Sequence, residues 1–137
     1  MKRILLIFAW LVCFAITAMA QAKYVFFFIG DGMGPNQVLA AEMYQAALKG
    51  EIGRVPLLMS QFPYSGQAAT FSASYGITDS AAAGTCLASG KKTNNGMIGQ
   101  TPDGELAISV ASQLKTEGWG VGIMSSVPVD HATPASH

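Results

Sequence analysis

Lys23-Tyr24-Val25-Phe26-Phe27-Phe28-Ile29-Gly30-Asp31-Gly32-Met33-Gly34-Pro35 is the stretch that decides the fold. From Tyr24 to Ile29 the run is aromatic and β-branched, with no polar residue alternating. A strand with one wet face would alternate, so this pattern predicts a strand buried on both faces, as in a parallel sheet. The run ends in a glycine-rich loop carrying one acid, Asp31. A dinucleotide-binding loop would need G-x-G-x-x-G and a neutral or basic lining. Here Pro35 follows glycines at 30, 32 and 34, and the acid stands where a pyrophosphate would lie, so that reading fails. A carboxylate in a strand-end loop suits a hard metal ion; it equally suits a cap on the next turn.

Downstream, Asn36 to Leu48 reads as a helix with Val38, Leu39, Met43 and Ala46 or Ala47 on one side and Gly50 as its stop. Residues 50–64 are irregular, punctuated by Pro56 and Pro63, with a short helical turn at Leu57-Leu58-Met59. Gly66 to Phe71 reads as a short strand. Next comes Ile77-Thr78-Asp79-Ser80-Ala81-Ala82-Ala83-Gly84-Thr85-Cys86-Leu87-Ala88-Ser89-Gly90. Thr78, Asp79 and Ser80 are all N-cap residues, the alanines are the best helix formers, and Gly90 stands where a C′ glycine belongs. Ser80 therefore sits at or just inside a helix N-terminus, where free N–H groups and the helix dipole favour an anion and a serine alkoxide. The same pattern also describes an ordinary capped core helix.

Lys91 and Lys92 follow this helix and read as a solvated last turn in preference to a phosphate site. Asn95-Gly96 and Pro102-Asp103-Gly104 are turn signals. Glu105 to Glu117 has Ala107, Val110, Ala111 and Leu114 at amphipathic helical spacing, closed by Gly118. Val121 to Met124 is a second buried strand, leading to Asp130-His131-Ala132-Thr133-Pro134. Strands alternating with helices predict an α/β fold with a mostly parallel sheet, whose sites form beyond the carboxyl ends of the strands. Asp31, Ser80 and the His131/Thr133 pair all fall on that edge.

Half of the residues are hydrophobic, few are charged, and the formal net charge is zero. A disordered chain and a nucleic-acid partner are both excluded on this balance. Lys2 and Arg3, the apolar run Ile4 to Thr17 and the small-x-small Ala18-Met19-Ala20 form a secretory signal peptide over residues 1–20. Val12 before Cys13 does not suit a lipoprotein site, so cleavage without a stable membrane anchor is expected, with periplasmic or extracellular residence. After residue 20 only Cys86 remains, so no intrachain disulfide is available and the thiol is expected to be buried.

Three segments carry a resemblance. Val25 to Gly34 resembles the first strand and metal-binding loop of the alkaline phosphatase family. Ile77 to Thr85 resembles that family's nucleophile signature, and Val121 to Pro134 its next metal-binding segment. The resemblance implies a three-layer α/β/α fold with a mostly parallel central sheet, incomplete in this truncated chain, with 21–137 as the N-terminal part of the catalytic domain. It implies a hydrolase acting on small phosphate monoesters with two zinc ions and one magnesium ion. Asp31 would bridge the magnesium-type site and one zinc, and Ser80 would be the nucleophile and a ligand of that zinc. Thr133 would bind the magnesium-type ion, His131 would act near it through water, and Asp79 would orient an arginine that clamps the substrate phosphate.

The same sequence departs from the family after Pro134. It ends Ala135-Ser136-His137, without the clamping arginine or the further Asp, Glu and His zinc ligands. Arg54 is the one arginine after residue 20 and lies at no clamp position. The chain is thus expected to be the N-terminal piece of a larger phosphatase and inactive alone. Competing readings are a phosphodiesterase, sulfatase or phosphomutase relative, and a non-catalytic secreted anion-binding module. A homodimer does not follow from the sequence.

Overall fold

The computed structural model describes residues 22–137, so the signal peptide expected over 1–20 lies outside the described residues. The chain divides into two units, one ending at Gly30 and the other running from Asp31 to His137.

In the first unit, residues 22–30 form no β-ladder. Tyr24 to Phe28 are exposed, Phe28 at 86 %. The expected strand at 23–29 is therefore not formed as a paired element. A strand whose sequence is apolar on both faces takes its hydrogen bonds and its cover from neighbouring strands and helices. Among the described residues no ladder partner is supplied.

The second unit is built from helices and turns. α1 (Pro35–Leu48) starts with Pro35 in its first turn, where the missing N–H costs nothing. Gly34 precedes it and donates its N–H to Gln37 Oε1 at 3.0 Å. Past Leu48 the N–H groups of Lys49, Gly50 and Glu51 close onto the carbonyls of Ala46 and Ala47. Start and stop agree with the sequence reading, but the buried face does not. Leu39 and Met43 are exposed, while Glu42 and Ala46 are buried.

Glu42 is only 1 % exposed because its carboxylate collects the irregular segment that follows. Oε1 accepts from Ser60 Oγ at 2.5 Å and from Leu57 N at 3.1 Å. Oε2 takes Arg54 Nη1 at 3.2 Å, and the Glu42 carbonyl accepts from Val55 N at 3.1 Å. A buried carboxylate is tolerable only when its lone pairs are satisfied in this way. The helical turn anticipated at 57–59 is a 3₁₀ turn at Leu58–Gln61, and Ser60 lies on it.

α2 (Ser80–Ser89) packs on two shorter helices, α3 (Val110–Thr116) and α4 (Ala132–Ala135). Gly90 ends α2 in the left-handed conformation at φ 72°, as a C′ glycine does. The amphipathic helix expected over 105–117 is shorter than its periodicity suggests. Gln100 and Leu106 form an antiparallel bridge, and Thr101 N–Glu105 O and Ala107 N–Gly99 O bonds of 2.8 Å flank the Pro102-Asp103-Gly104 turn. The helix waits for Ser109, whose Oγ caps Ser112 N at 3.1 Å. Local pairing across the turn thus takes residues that helical spacing alone would assign to α3.

That bridge is the one β-pairing among the described residues, so the strands expected at 66–71 and 121–124 also lack partners. Met124 is 96 % exposed. The buried apolar residues are all alanines: Ala46, Ala81, Ala82, Ala88 and Ala107. Buried hydroxyls of Ser72, Thr85, Thr93, Ser109 and Ser136 complete the interior. Among the described residues no helix is long and apolar enough to cross a membrane.

The Glu42 carboxyl lies below its ordinary value of 4.5. The Ser60 hydroxyl is the main cause, then the Leu57 N–H and the Arg54 guanidinium, against desolvation that pushes it up. A carboxyl with a depressed folded pKa contributes stability above its unfolded pKa and loses it as pH falls through the folded value. Thermal melts should therefore show stability falling with acidification below about pH 4.5. Glu42→Gln should melt lower at pH 7 and flatten that acid limb. An acid limb of unchanged slope in the variant would show that Glu42 is not its source.

Candidate active site

Ser80 is the first residue of α2, because Asp79 outcompetes its neighbours as the N-cap. Asp79 is extended (φ −99°, ψ 177°), and its Oδ1 accepts from Ala82 N at 2.9 Å. Its carbonyl accepts from Ala83 N at 3.0 Å. This leaves the Ser80 hydroxyl in the first turn, at the positive end of the helix dipole.

Asp31 lies in the turn before α1. Its Oδ1 accepts from Ser80 Oγ at 3.3 Å and its Oδ2 from Thr133 Oγ1 at 2.7 Å. Thr133 is in α4, for which His131 is the N-cap residue. The structure thus brings three of the anticipated residues, Asp31, Ser80 and Thr133, onto one carboxylate. The exposed His131 side chain is outside that set of bonds. Its backbone starts α4 by accepting from Ala135 N at 2.9 Å.

The approach of α4 to α2 depends on Gly84, one of the small residues behind Ser80 that let another layer pack closely. A Cβ on Gly84 would collide with Ser136 Oγ, lie 3.3 Å from Ser136 Cβ and 3.4 Å from Thr133 Cα. Gly84 is one helical turn beyond Ser80, so its bare backbone is what lets α4 bring Thr133 to the start of α2. Ser136 Oγ donates to Thr133 O at 2.8 Å, and His137 Nδ1 donates to the same carbonyl at 3.0 Å. The last residues of the chain therefore hold Thr133 from behind.

The far side of α2 is fixed by Thr85. Its buried Oγ1 donates to Met97 O at 3.2 Å and accepts from Gly99 N at 2.9 Å. Cys86 is half-buried and unpaired with any other cysteine, instead of fully buried as expected. Lys92 Nζ donates to Phe71 O and lies 3.5 Å from the centroid of the Phe71 ring. It ties two loops together, where the sequence suggests only a solvated last turn. Asp79, expected to orient an arginine, is engaged by backbone, its Oδ2 accepting from Gly96 N at 2.6 Å.

One carboxylate and two hydroxyls make an all-oxygen donor set, which suits a hard divalent cation, and the carboxylate is of the kind that zinc also accepts. Among the described residues no three His, Cys, Asp or Glu side chains are grouped as a metal cluster.

The alkaline phosphatase family profile matches residues 22–137. The chain is similar to the tissue-nonspecific alkaline phosphatase of Gallus gallus, at 35 % identity over 84 % of this chain and 24 % of that protein. It is also similar to the alkaline phosphatase of Gadus morhua, at 31 % identity over 85 % of this chain and 27 % of that one. A crystal structure of a cold-active alkaline phosphatase from the psychrophile Shewanella sp. superposes with a TM-score of 0.70 at 32 % identity. That match covers 79 % of this chain and 27 % of the other. The α/β class of the fold follows from this likeness, and the chain spans about a quarter of the length of the curated relatives it matches.

The Gly84 contact is testable by rescue. Gly84→Ala should destabilise the chain by about 1–3 kcal/mol, the usual range for overpacking. Gly84→Ala combined with Ser136→Gly should recover most of that loss in denaturant titrations, because the second change removes both colliding atoms. Additive losses in the double variant would mean the two residues do not oppose each other.

Proposed function

The chain belongs to the alkaline phosphatase family, and we propose that in the complete, family-length protein it hydrolyses small phosphate monoesters through a phosphoserine formed on Ser80. The observation that carries this reading is the Asp31 carboxylate joined to the helix-start hydroxyl of Ser80 and to Thr133. In the first step Ser80 Oγ bonds to phosphorus and the ester P–O bond breaks, so the alcohol leaves with the electron pair and takes a proton. In the second step water attacks phosphorus, the P–Oγ bond breaks, and Ser80 regains its proton. Asp31 Oδ1 orients the hydroxyl, and the start of α2 favours the negative charge that collects there.

A serine hydroxyl attacks phosphorus slowly at its free pKa. Two zinc ions and a magnesium ion, which the family resemblance implies, would lower the pKa of the attacking oxygens and polarise the phosphoryl group. Asp31, Thr133 and, through water, His131 would hold the magnesium-type ion, and Asp31 with Ser80 would be shared with one zinc. The remaining zinc ligands and the phosphate-clamping arginine would come from further chain. On this reading Asp79 still has free lone pairs for that arginine, since a carboxylate offers about four acceptor sites and backbone uses two here.

The exposed apolar runs at 24–29 and 121–124 would then be strands of the mostly parallel central sheet of a three-layer α/β/α domain. Their apolarity on both faces supports this. Residues 1–20 would act as the export signal, giving a periplasmic or extracellular enzyme.

With the complete protein at low pH, labelled inorganic phosphate should be trapped on Ser80 and located by peptide mass spectrometry. Ser80→Ala should take no label and lose about 10³-fold or more in turnover, as removal of a nucleophile does. Label that persists in Ser80→Ala would overturn the assignment. An aryl diester or sulfate hydrolysed faster than the monoester would point to the other branches of the superfamily, and phosphate binding without turnover to an anion-binding module.

The 137-residue chain by itself should show no phosphatase turnover with zinc and magnesium at alkaline pH. It brings one carboxylate and two hydroxyls to the site, and its single arginine beyond residue 20 is committed to Glu42. Two-metal hydrolysis needs three or four ligands for each ion. Turnover that copurifies with the chain and vanishes in Ser80→Ala would refute this expectation.

A further inference from the structure

Asn95 was read from sequence only as half of a turn, yet its side chain reaches the segment leading into Ser80. The turn at 94–97 is closed by Met97 N donating to Asn94 O at 3.1 Å, with Gly96 at φ 84°. Asn95 Oδ1 accepts from Asp79 N at 3.3 Å and Asn95 Nδ2 donates to Ile77 O at 3.1 Å. Residues 77 and 79 are two apart in the bent segment that leads into α2, and the one amide bridges the carbonyl of the first and the N–H of the second. The partners fix the orientation of the amide, since one is an N–H and the other a carbonyl.

The adjoining backbone completes the grip. Gly96 N donates to Asp79 Oδ2 at 2.6 Å, and Asn95 N donates to Ser74 Oγ at 3.0 Å. A positive φ is readily adopted by glycine at position 96 and strained for other residues. With the α2 bonds included, Asp79 has its N–H, its carbonyl and both carboxylate oxygens engaged. The residue immediately before Ser80 is thus held at each of its polar groups. Two of those engagements come from residues 95 and 96, some 16 positions away in sequence.

We infer that Asn95 is a positioning residue for Ser80: its amide clamps Ile77 and Asp79, and this fixes Ser80 as the first residue of α2 with its hydroxyl on Asp31. The inference rests on the proposed role of Ser80 as nucleophile. Its consequence is kinetic, because a displacement of about 1 Å at a reacting atom can cost ~10²-fold in rate.

The experiment has two independent readouts. In the 137-residue chain, amide exchange by NMR is compared for wild type, Asn95→Leu (similar shape, no polar atoms) and Asn95→Asp (acceptor kept, donor lost). Asn95→Leu should speed exchange at the Asp79 amide by ~10-fold or more, with Gly99 and Ala107 unchanged, as expected of a local opening. Asn95→Asp should fall between it and wild type. In the complete protein, Asn95→Leu should slow labelling of Ser80 by phosphate ~10- to 100-fold, with the half-saturating phosphate concentration unchanged and the final labelled fraction preserved. Unchanged Asp79 exchange would overturn the inference, as would a uniform rise at all amides, which would mark a general structural role. Faster Asp79 exchange with an unchanged labelling rate would overturn it too. If wild type takes no label on Ser80, the phosphatase reading fails in its own right, and the positioning of Ser80 as a nucleophile falls with it while the clamp is still read from exchange.

Discussion

The Asp31 carboxylate is the constraint around which the second unit is arranged. It is held by hydroxyls 49 and 102 residues away in sequence. A hydrogen bond to a charged group contributes about 1.5–3 kcal/mol at best, and less where water competes, as it does at this exposed aspartate. Loop closure over such separations costs more for the longer loop, but only by about 0.6 kcal/mol per doubling. The decisive term is therefore not the pair of bonds. It is the packing of α2 on α4 across Gly84, which places Thr133 beside α2. The polar contacts select a register that the bare glycine makes accessible.

That division explains why some of the structure was legible in the sequence and some was not. Helix ends are local. Asp79, Gly90, Pro35 and Gly50 act on backbone within a few residues of themselves, and α1 and α2 start and stop where those residues predict. Strands are not local. Tyr24 to Ile29 and Val121 to Met124 have strand composition, but composition cannot provide a ladder, and none is formed among the described residues. Residues 105–109 lie between these cases. Their spacing fits a helix, while the Pro102-Asp103-Gly104 turn makes pairing of Gln100 with Leu106 equally close at hand, and Ser109 then sets the start of α3.

The candidate site divides in the same way. Ser80, Asp31 and Thr133 could be singled out because each sits at the end or start of an element and carries an oxygen suited to phosphoryl or metal chemistry. Asn95 and Glu42 could not, and Gly84 only as one of the small residues behind Ser80, because each acts through partners remote in sequence. Asn95 looks like any turn asparagine until Ile77 and Asp79 are placed beside it. Gly84 looks like a tolerated helix glycine until Ser136 lies against it. Glu42 looks like a solvated helix acid until Arg54, Leu57 and Ser60 close over it. Its burial also inverts the amphipathic reading of α1, leaving Leu39 and Met43 exposed where an apolar face was expected.

The supports of Ser80 come from two directions with different chemistry. Behind it, the Asp79 carboxylate is held by the N–H groups of Ala82 and Gly96, and the Asn95 side-chain amide holds the Asp79 N–H. In front, Asp31 and Thr133 offer only oxygens. A nucleophile whose preceding residue is held at both its backbone and its side chain can react without loosening its supports. An all-oxygen front, with a single carboxylate, can accept a hard cation without surrendering a buried ion pair. Preorganisation of this kind lowers a barrier because the surroundings need not rearrange as charge develops. On the proposed reading, this quarter-length portion of the family supplies the fixed nucleophile and one corner of oxygen ligands, while further chain supplies the groups that activate the phosphate and the water.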